Sequence, residues 1–373
     1  MKILHLDEQK GWRGGEQQAS WLVRGLGARG HEVWVAGRPG GEFVNSPAHG
    51  DVAGRLPLPL RGEWDLFSAR RIARFVREHG IDLIHAHTSH AHGIAALARG
   101  VFKAPARLVV SRRVSFPPAG HFLNRWKYAQ PDRILCVSRC VARVMRDWGA
   151  PPRQLEVVHS AVDAARVAVE PLPRGELGVP DGAPLLVSAG ALVDHKDHAS
   201  LLRAFARVSG EFSGAWLVIA GGGKLRADLE RLAAELGLAD RVRFLGHRPD
   251  APRIIRAGDV YVSSSTSEGL GTSILEALAS GTPVVATRAG GADEMVIPHR
   301  TGWLVPVSDP GALAAAVAEC LRKPEDARIM AKTGRELAEA AFSAERMIEG
   351  TLAVYTRLLD GTEPEGGDLP WAT

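Results

Sequence analysis

Cysteine is scarce in this chain: Cys136, Cys140 and Cys320 are the only three in 373 residues. Their spacing fits neither a disulfide framework nor a zinc-binding pattern, which suits a reducing compartment. Long apolar runs are missing too, and none approaches the roughly eighteen residues that a membrane-spanning helix needs. The opening "MKILHLDEQ" turns charged before an apolar signal core can form. No export signal is therefore expected, and a cytoplasmic location is.

What is present describes an ordinary soluble protein, with 45% apolar and 24% charged residues. The length is too great for one ordinary core and suits two domains. The net charge of +4 hides a division. Residues 1–170 hold 25 Lys+Arg against 15 Asp+Glu, a balance of +10, whereas residues 171–373 hold 21 against 27, a balance of −6. The basic half is either plain solvated surface or a face that meets something anionic.

Short β-rich apolar runs alternate with helical patterns. In the first half they are "KILHL" (2–6), "EVWVAG" (32–37), "DLIHAH" (82–87), "RLVVS" (107–111), "RILCVS" (133–138) and "LEVVHS" (155–160). In the second they are "PLLVSAG" (184–190), "AWLVIAGG" (215–222), "RVRFLG" (241–246), "DVYVSSS" (259–265) and "PVVATR" (283–288). Continuous apolar strands between helices predict parallel sheets covered on both faces. Two such sets predict an α/β chain of two doubly wound, Rossmann-like domains, 1–168 and 184–341. The Pro- and Gly-rich stretch 169–183 reads as a linker, and 361–373 as a flexible tail. Ligands of open parallel sheets bind beyond the carboxyl ends of the strands, so the residues there carry the functional reading.

Several motifs there are weaker than they look. "GLGARG" (25–30) fits G-x-G-x-x-G through Gly25, Gly27 and Gly30 but follows a helix and precedes a strand, the reverse of a dinucleotide site. "AGGGK" (220–224) lacks the spacing and the Ser/Thr of a Walker loop; its glycines are expected to let backbone approach a ligand. "GWRGGEQQ" (11–18) places Gly14 and Gly15 at a helix start after the first strand, where backbone N–H groups favour anions. "HAHTSHAH" (85–92) tempts a zinc reading, but no Cys or carboxylate completes the set, and one functional histidine, His87, is expected instead. In "GALVDHKDH" (190–198), Lys196 is a mobile cation suited to phosphate oxygens.

The stretch "SSSTSEGLGTSILEALASGTPVV" (263–285) carries most of the signal. Glu268 and Glu276 stand eight positions apart around Gly269 and Gly271. Ser273 and Glu276 also fit an S-x-x-E capping box, which would explain Glu276 but not Glu268 or the glycines. Backbone N–H groups and a helix dipole at such a turn suit phosphate. Carboxylates suit sugar hydroxyls on either side of it. The pattern therefore predicts a nucleotide sugar.

With these motifs the chain resembles, from about residue 1 to 360, the retaining family-4 glycosyltransferases of the GT-B fold, whose two Rossmann-like domains face each other across a cleft. The E-x7-E pair is the signature, supported by Gly14–Gly15, "AGGG" (220–223), "FLG" (244–246), "ASGTPVVATRAGGADE" (279–294), "TGWLVP" (301–306) and a terminal helix after "FSAERM" (342–347). The resemblance implies that Glu276 holds the ribose and that Glu268 contacts the donor sugar. It implies that Gly269, Leu270, Gly271 and Thr272 offer backbone to sugar and diphosphate, with Gly190, Gly221 and Gly222 also lining the donor site. Lys196 would neutralise the leaving diphosphate, Gly14–Gly15 would approach it, and Arg243–Gly246, with Leu245, would meet the base. A helix over about 342–360 would complete the first domain. Two departures stand out. Ala191 occupies the place of a common arginine, and "SRRVS" (111–115) occupies that of a common histidine. Arg112 or Arg113, or else Arg13 or Arg288, is expected to compensate.

The implied reaction moves a sugar from a nucleoside diphosphate, UDP by family frequency, to a hydroxyl with retention. No cofactor or essential metal is expected, since fixed cations replace the metal and no acidic D-x-D motif is present. The acceptor is expected to be a glycan or lipid-linked saccharide of the cell envelope. The basic, aromatic segments 111–133 and 69–80 suit an anionic acceptor and would hold it at the inner face of the cytoplasmic membrane. Nucleic acid is not an expected partner. Alternatives are a nucleotide-sugar epimerase of the same fold and a non-catalytic nucleotide-sugar-binding module.

Overall fold

The computed structural model describes residues 1–362; residues 363–373, most of the expected tail, lie outside the described residues. Packing divides the chain into two units, Met1–Ser160 with the segment from Ala344 onward, and Ala161–Ser343.

The first unit contains strands β1 (Lys2–Leu6), β2 (Glu32–Gly37), β3 (Gly54–Pro57), β4 (Leu83–Ala86), β5 (Arg107–Arg112), β6 (Arg133–Cys136) and β7 (Leu155–Val157). They form one seven-stranded sheet in the order β3-β2-β1-β4-β5-β6-β7, and each pairing is parallel. The second unit contains β8 (Leu185–Ala189), β9 (Trp216–Ala220), β10 (Val242–Gly246), β11 (Val260–Ser263), β12 (Val284–Thr287) and β13 (Trp303–Val305). Its six-stranded sheet has the order β10-β9-β8-β11-β12-β13, again parallel. Both orders reverse beside the unit's first strand, at β1/β4 and at β8/β11, and such a switch point is where doubly wound sheets bind ligands.

The central strands are apolar on both faces because helices cover both. Leu4, Leu6, Ile84, Leu108 and Val110 join Ile72, Val76 and Ile94 in one buried cluster of the first unit. Leu186, Leu217, Ile219, Val260 and Val285 do the same with Leu201, Phe205 and Val317 in the second. The expected α/β architecture of two Rossmann-like units is present.

Three features differ from the sequence reading. Strands β3 and β13 were not expected. Each is an edge strand of three or four residues, too short for a periodic signal, and β3 contains Gly54 and Pro57. The stretch 169–183 is packed rather than free: Leu172, Leu177 and Val179 are buried, and Leu172 N–H donates to the Arg253 carbonyl at 3.0 Å. The units therefore divide at Ser160/Ala161, ahead of the expected linker. Finally, Gly25 of "GLGARG" lies inside the helix Gly14–Ala28, where a Cβ would come within 2.3 Å of Ile348. Its bare face lets the terminal helix Ala344–Asp360 pack close within the first unit.

Candidate active site

Both glutamates of the E-x7-E pattern stand in the second unit, just beyond the carboxyl end of β11. The chain turns at Gly271, whose φ of +99° is left-handed and suits glycine, and enters the helix Thr272–Ala279. No side chain caps this helix. The capping-box expectation is thereby corrected: Ser273 lies inside the helix, and its hydroxyl accepts from Tyr261 Oη at 2.8 Å. Glu276 instead accepts from Arg166 Nε at 2.9 Å. Leu270 is buried beneath the turn.

Glu268 is buried. Its Oε1 accepts from Lys196 Nζ at 2.5 Å and from Ser265 Oγ at 2.7 Å. Lys196 ends the short 3-10 turn Asp194–Lys196 that follows β8. Thr266 N–H donates to the His195 carbonyl at 2.8 Å, and Ser264 Oγ donates to the Lys196 carbonyl at 2.9 Å. The loops after two paired strands are thus laced together at the switch point, and they bring ammonium and carboxylate face to face.

The glycines have distinct reasons. A Cβ on Gly221 would lie 1.7 Å from the Gly190 carbonyl oxygen, and one on Gly223 2.3 Å from that of Leu192. These residues let the loops after β8 and β9 close on each other, whereas the sequence reading had reserved them for a ligand. Gly222 has room, with His247 N as the nearest atom at 3.7 Å. Gly246, φ +70°, bridges to Gly221 where β10, with Leu245, ends. Gly190 flanks the Lys196 stem: a Cβ there would meet Lys196 Cε at 3.5 Å. Gly290, φ +57°, was not singled out, yet a Cβ there would fall 1.7 Å from the Glu268 carbonyl oxygen. Arg166 was missed as well, because nothing near it in sequence points to a partner 110 positions away. Of the arginines considered for the Ala191 departure, Arg288 lies in this unit and reaches Asp293 at 4.0 Å.

In the first unit, Gly14 and Gly15 begin the helix Gly14–Ala28, with Arg13 as N-cap. The Glu16 carboxylate accepts from Arg13 N–H at 2.8 Å, so the helix start already holds one negative group. Asp7, Glu8 and Glu16 are all buried there. Burial, then Glu16, pushes the Asp7 carboxyl up to about 8. This loop is electrostatically mixed, which the glycine pattern did not reveal.

His87 is buried, and its Nε2 bonds His5 Nδ1 at 2.9 Å. His85, opposite His5 in the β1–β4 register, bonds Tyr355 Oη at 2.5 Å and Ser111 Oγ at 2.8 Å. The ring nitrogens of His5, His85 and His87 lie within 4.8 Å of one another. As metal ligands they fit poorly. The set holds no thiolate or carboxylate, Arg113 presses its charge on His85 and His87, and His85 has both nitrogens engaged. His87 also lines a cavity of about 330 Å³ with Arg13, Arg112, Arg113, Ser89 and Phe116. Arg112 donates to Tyr128 Oη at 3.0 Å and to the Phe116 carbonyl. Burial, opposed by Asp7 and Glu16, lowers the Arg113 guanidinium to about 10.

The model of the glycosyl transferases group 1 matches residues 171–337, and that of glycosyltransferase family 4 matches residues 12–166. The lipopolysaccharide core biosynthesis glycosyltransferase LpsE of Rhizobium meliloti is 29% identical over 94% of this chain and 98% of its own length. A GDP-mannose-dependent α-(1-6)-phosphatidylinositol monomannoside mannosyltransferase of Mycolicibacterium smegmatis is 31% identical, over 72% of this chain and 75% of its own. Among solved structures, Anabaena HepE in complex with UDP and glucose superposes with a TM-score of 0.82 at 22% identity, covering 95% of this chain and 99% of that one.

Proposed function

The chain belongs to the family-4 glycosyltransferases, and from that premise we propose that it transfers a sugar from a nucleoside diphosphate, UDP in the first instance, to a hydroxyl of an envelope glycan or lipid-linked saccharide, with retention and without a metal. Relatives named for lipopolysaccharide core synthesis, LpsE and LpsD, support the glycan class, and a structural neighbour that holds UDP and glucose supports the donor class.

The observation that carries the reading is the pairing of both glutamates with cations around an uncapped helix start: Lys196 with Glu268, and Arg166 with Glu276. An ammonium has three donors, so Lys196 can keep Glu268 and still reach a phosphate oxygen. Lys196 and Ser265 both bond Oε1 of Glu268, so a sugar hydroxyl would donate to Oε2. As the sugar–oxygen bond lengthens toward an oxocarbenium-like state, negative charge grows on the diphosphate. Lys196 and the N–H groups of the helix start would stabilise that charge. These cations are what would make a divalent metal dispensable.

Labelled UDP-, GDP- and ADP-sugars decide the matter. Slow nucleotide release with free sugar, unchanged by EDTA, is expected from one of them. Isomerised donor, or binding with no turnover, would overturn the proposal. Thermal melting identifies the base, because a ligand at 100 times its Kd stabilises by about 2.7 kcal/mol.

A further inference from the structure

The chain enters the second unit at Ala161, and the turn that follows carries Arg166 to Glu276. That turn is anchored on both sides of the arginine. Val162 is buried, its N–H donates to the Phe342 carbonyl at 2.8 Å, and it pairs with Ser343 in an isolated bridge. The Asp163 carboxylate accepts from Ala165 N–H at 3.0 Å and caps the four-residue helix Ala164–Val167, whose last residue is buried. Arg166 therefore leaves a fixed backbone, with its own side chain partly exposed.

The ion pair is one-pronged. Arg166 reaches Oε1 of Glu276 through Nε at 2.9 Å, where a forked approach would cover both carboxylate oxygens. A carboxylate offers about four acceptor positions, and this bond takes one of them. Among the described residues neither side chain has another hydrogen-bond or ion-pair partner. Glu268 is held twice over, by Lys196 and by Ser265, whereas Glu276 depends on Arg166 alone. Ser273, one turn earlier on the same helix, is engaged by Tyr261 and offers no substitute. Without the arginine, the torsions of a partly exposed glutamate are free, and any ligand would have to order them.

We infer that Arg166 is a positioning residue of the donor site: it orients the Glu276 carboxylate in advance, so that the ribose of a nucleoside diphosphate meets an acid already in place. The inference takes from the proposed function what Glu276 binds, and its test reads nucleotide binding rather than transfer. Isothermal titration of the full chain with UDP, GDP and ADP finds the nucleotide that the parent binds, with inorganic diphosphate as the ribose-free probe. Arg166 is partly exposed, so its replacement leaves the core intact. Arg166→Met should raise the Kd for that nucleotide about tenfold, the cost of ordering one long side chain on binding, and leave the Kd for inorganic diphosphate unchanged. Arg166→Lys returns a cation able to make a single bond and should bind close to the parent. In a Glu276→Ala background, Arg166→Met should add no further loss, because a residue that acts through another then has nothing to act on. In turnover the change should fall on KM rather than kcat. Parental binding by Arg166→Met overturns the inference, as do an equal loss for inorganic diphosphate and losses that add in full across the double variant. Tighter binding by Arg166→Met overturns it too, because the arginine would then be blocking Glu276. A parent that binds a nucleotide but transfers no sugar leaves the inference standing and sinks the proposed function; a parent that binds none sinks both.

Discussion

The ammonium of Lys196 lies 2.5 Å from the carboxylate of Glu268, and the two are carried by loops that follow adjacent strands of the second sheet. Glu268, itself fixed by Ser265, holds the ammonium in place, and under the proposed function that cation would face the leaving diphosphate. Losing one such electrostatic donor typically costs about 2.7–4 kcal/mol of transition-state stabilisation. Lys196→Ala should therefore cut turnover about a hundredfold or more, with the donor's Kd changed far less. A variant that turns over donor at the parent's rate would remove Lys196 from the mechanism.

Glu276 and Arg166 make the second pair, 2.9 Å apart. A carboxylate that accepts two ribose hydroxyls binds through charge-assisted bonds worth about 1.5–3 kcal/mol each. Glu276→Gln should weaken nucleotide-sugar binding about tenfold or more, while free inorganic diphosphate, which lacks the ribose, should bind as before. Isothermal titration with both ligands separates a ribose contact from a merely structural role; equal losses for both would point to the latter.

The parts of this site that the sequence made legible are those in which chemistry follows chain order. Glu268, Gly271 and Glu276 sit within one strand–turn–helix passage, so spacing alone brings them together beyond the carboxyl end of β11. Eleven apolar runs marked eleven strands for the same reason: a strand buried on both faces is apolar throughout. What escaped depends on the other kind of proximity. Arg166 reaches Glu276 only because the chain after β7 joins the second unit. The reasons for Gly221 and Gly223 lie in the carbonyls of Gly190 and Leu192, thirty-one residues away in each case (221 − 190 and 223 − 192). The rival capping-box reading of Glu276 fails because its four-residue pattern is local, whereas Ser273 lies inside the helix and is engaged by Tyr261.

Gly290 offers a test of how the Glu268 loop is held. Its φ of +57° strains any side chain, and a Cβ would come within 1.7 Å of the Glu268 carbonyl oxygen, which is backbone and cannot rotate away. Left-handed strain alone costs on the order of 1–3 kcal/mol, and the clash must push the loop outward. Gly290→Ala should lower the melting temperature and abolish turnover together. Gly222→Ala, where only His247 N lies near at 3.7 Å, should leave the melting temperature unchanged. Parental activity in Gly290→Ala would show that the loop tolerates displacement and that Glu268 need not be held.

The histidines of the first unit make its stability sensitive to acid. Burial, with His49 second, holds His5 down to about 3, against an ordinary 6.5. Burial also holds His85, His87 and His92 well below 6.5, helped by neighbouring histidines and, for His92, by Lys127. All four are neutral in the fold and take up protons on unfolding once the pH drops below 6.5. Each therefore contributes stability that is present above 6.5 and is lost at about 1.4 kcal/mol per pH unit as the pH falls toward the folded value. Asp7 works the other way. Its carboxyl, raised to about 8, is protonated in the fold and ionised in the unfolded chain above 3.8, so its contribution grows on acidification. Four groups against one leave a net loss, and urea unfolding at pH 7 and at pH 5 should show a midpoint that falls steeply for the first unit. Asp7→Asn removes the opposing contribution, so that variant should lose more stability between the two pH values than the parent does. A midpoint independent of pH, or a smaller loss in Asp7→Asn, would contradict the neutral, buried histidine network on which this expectation rests.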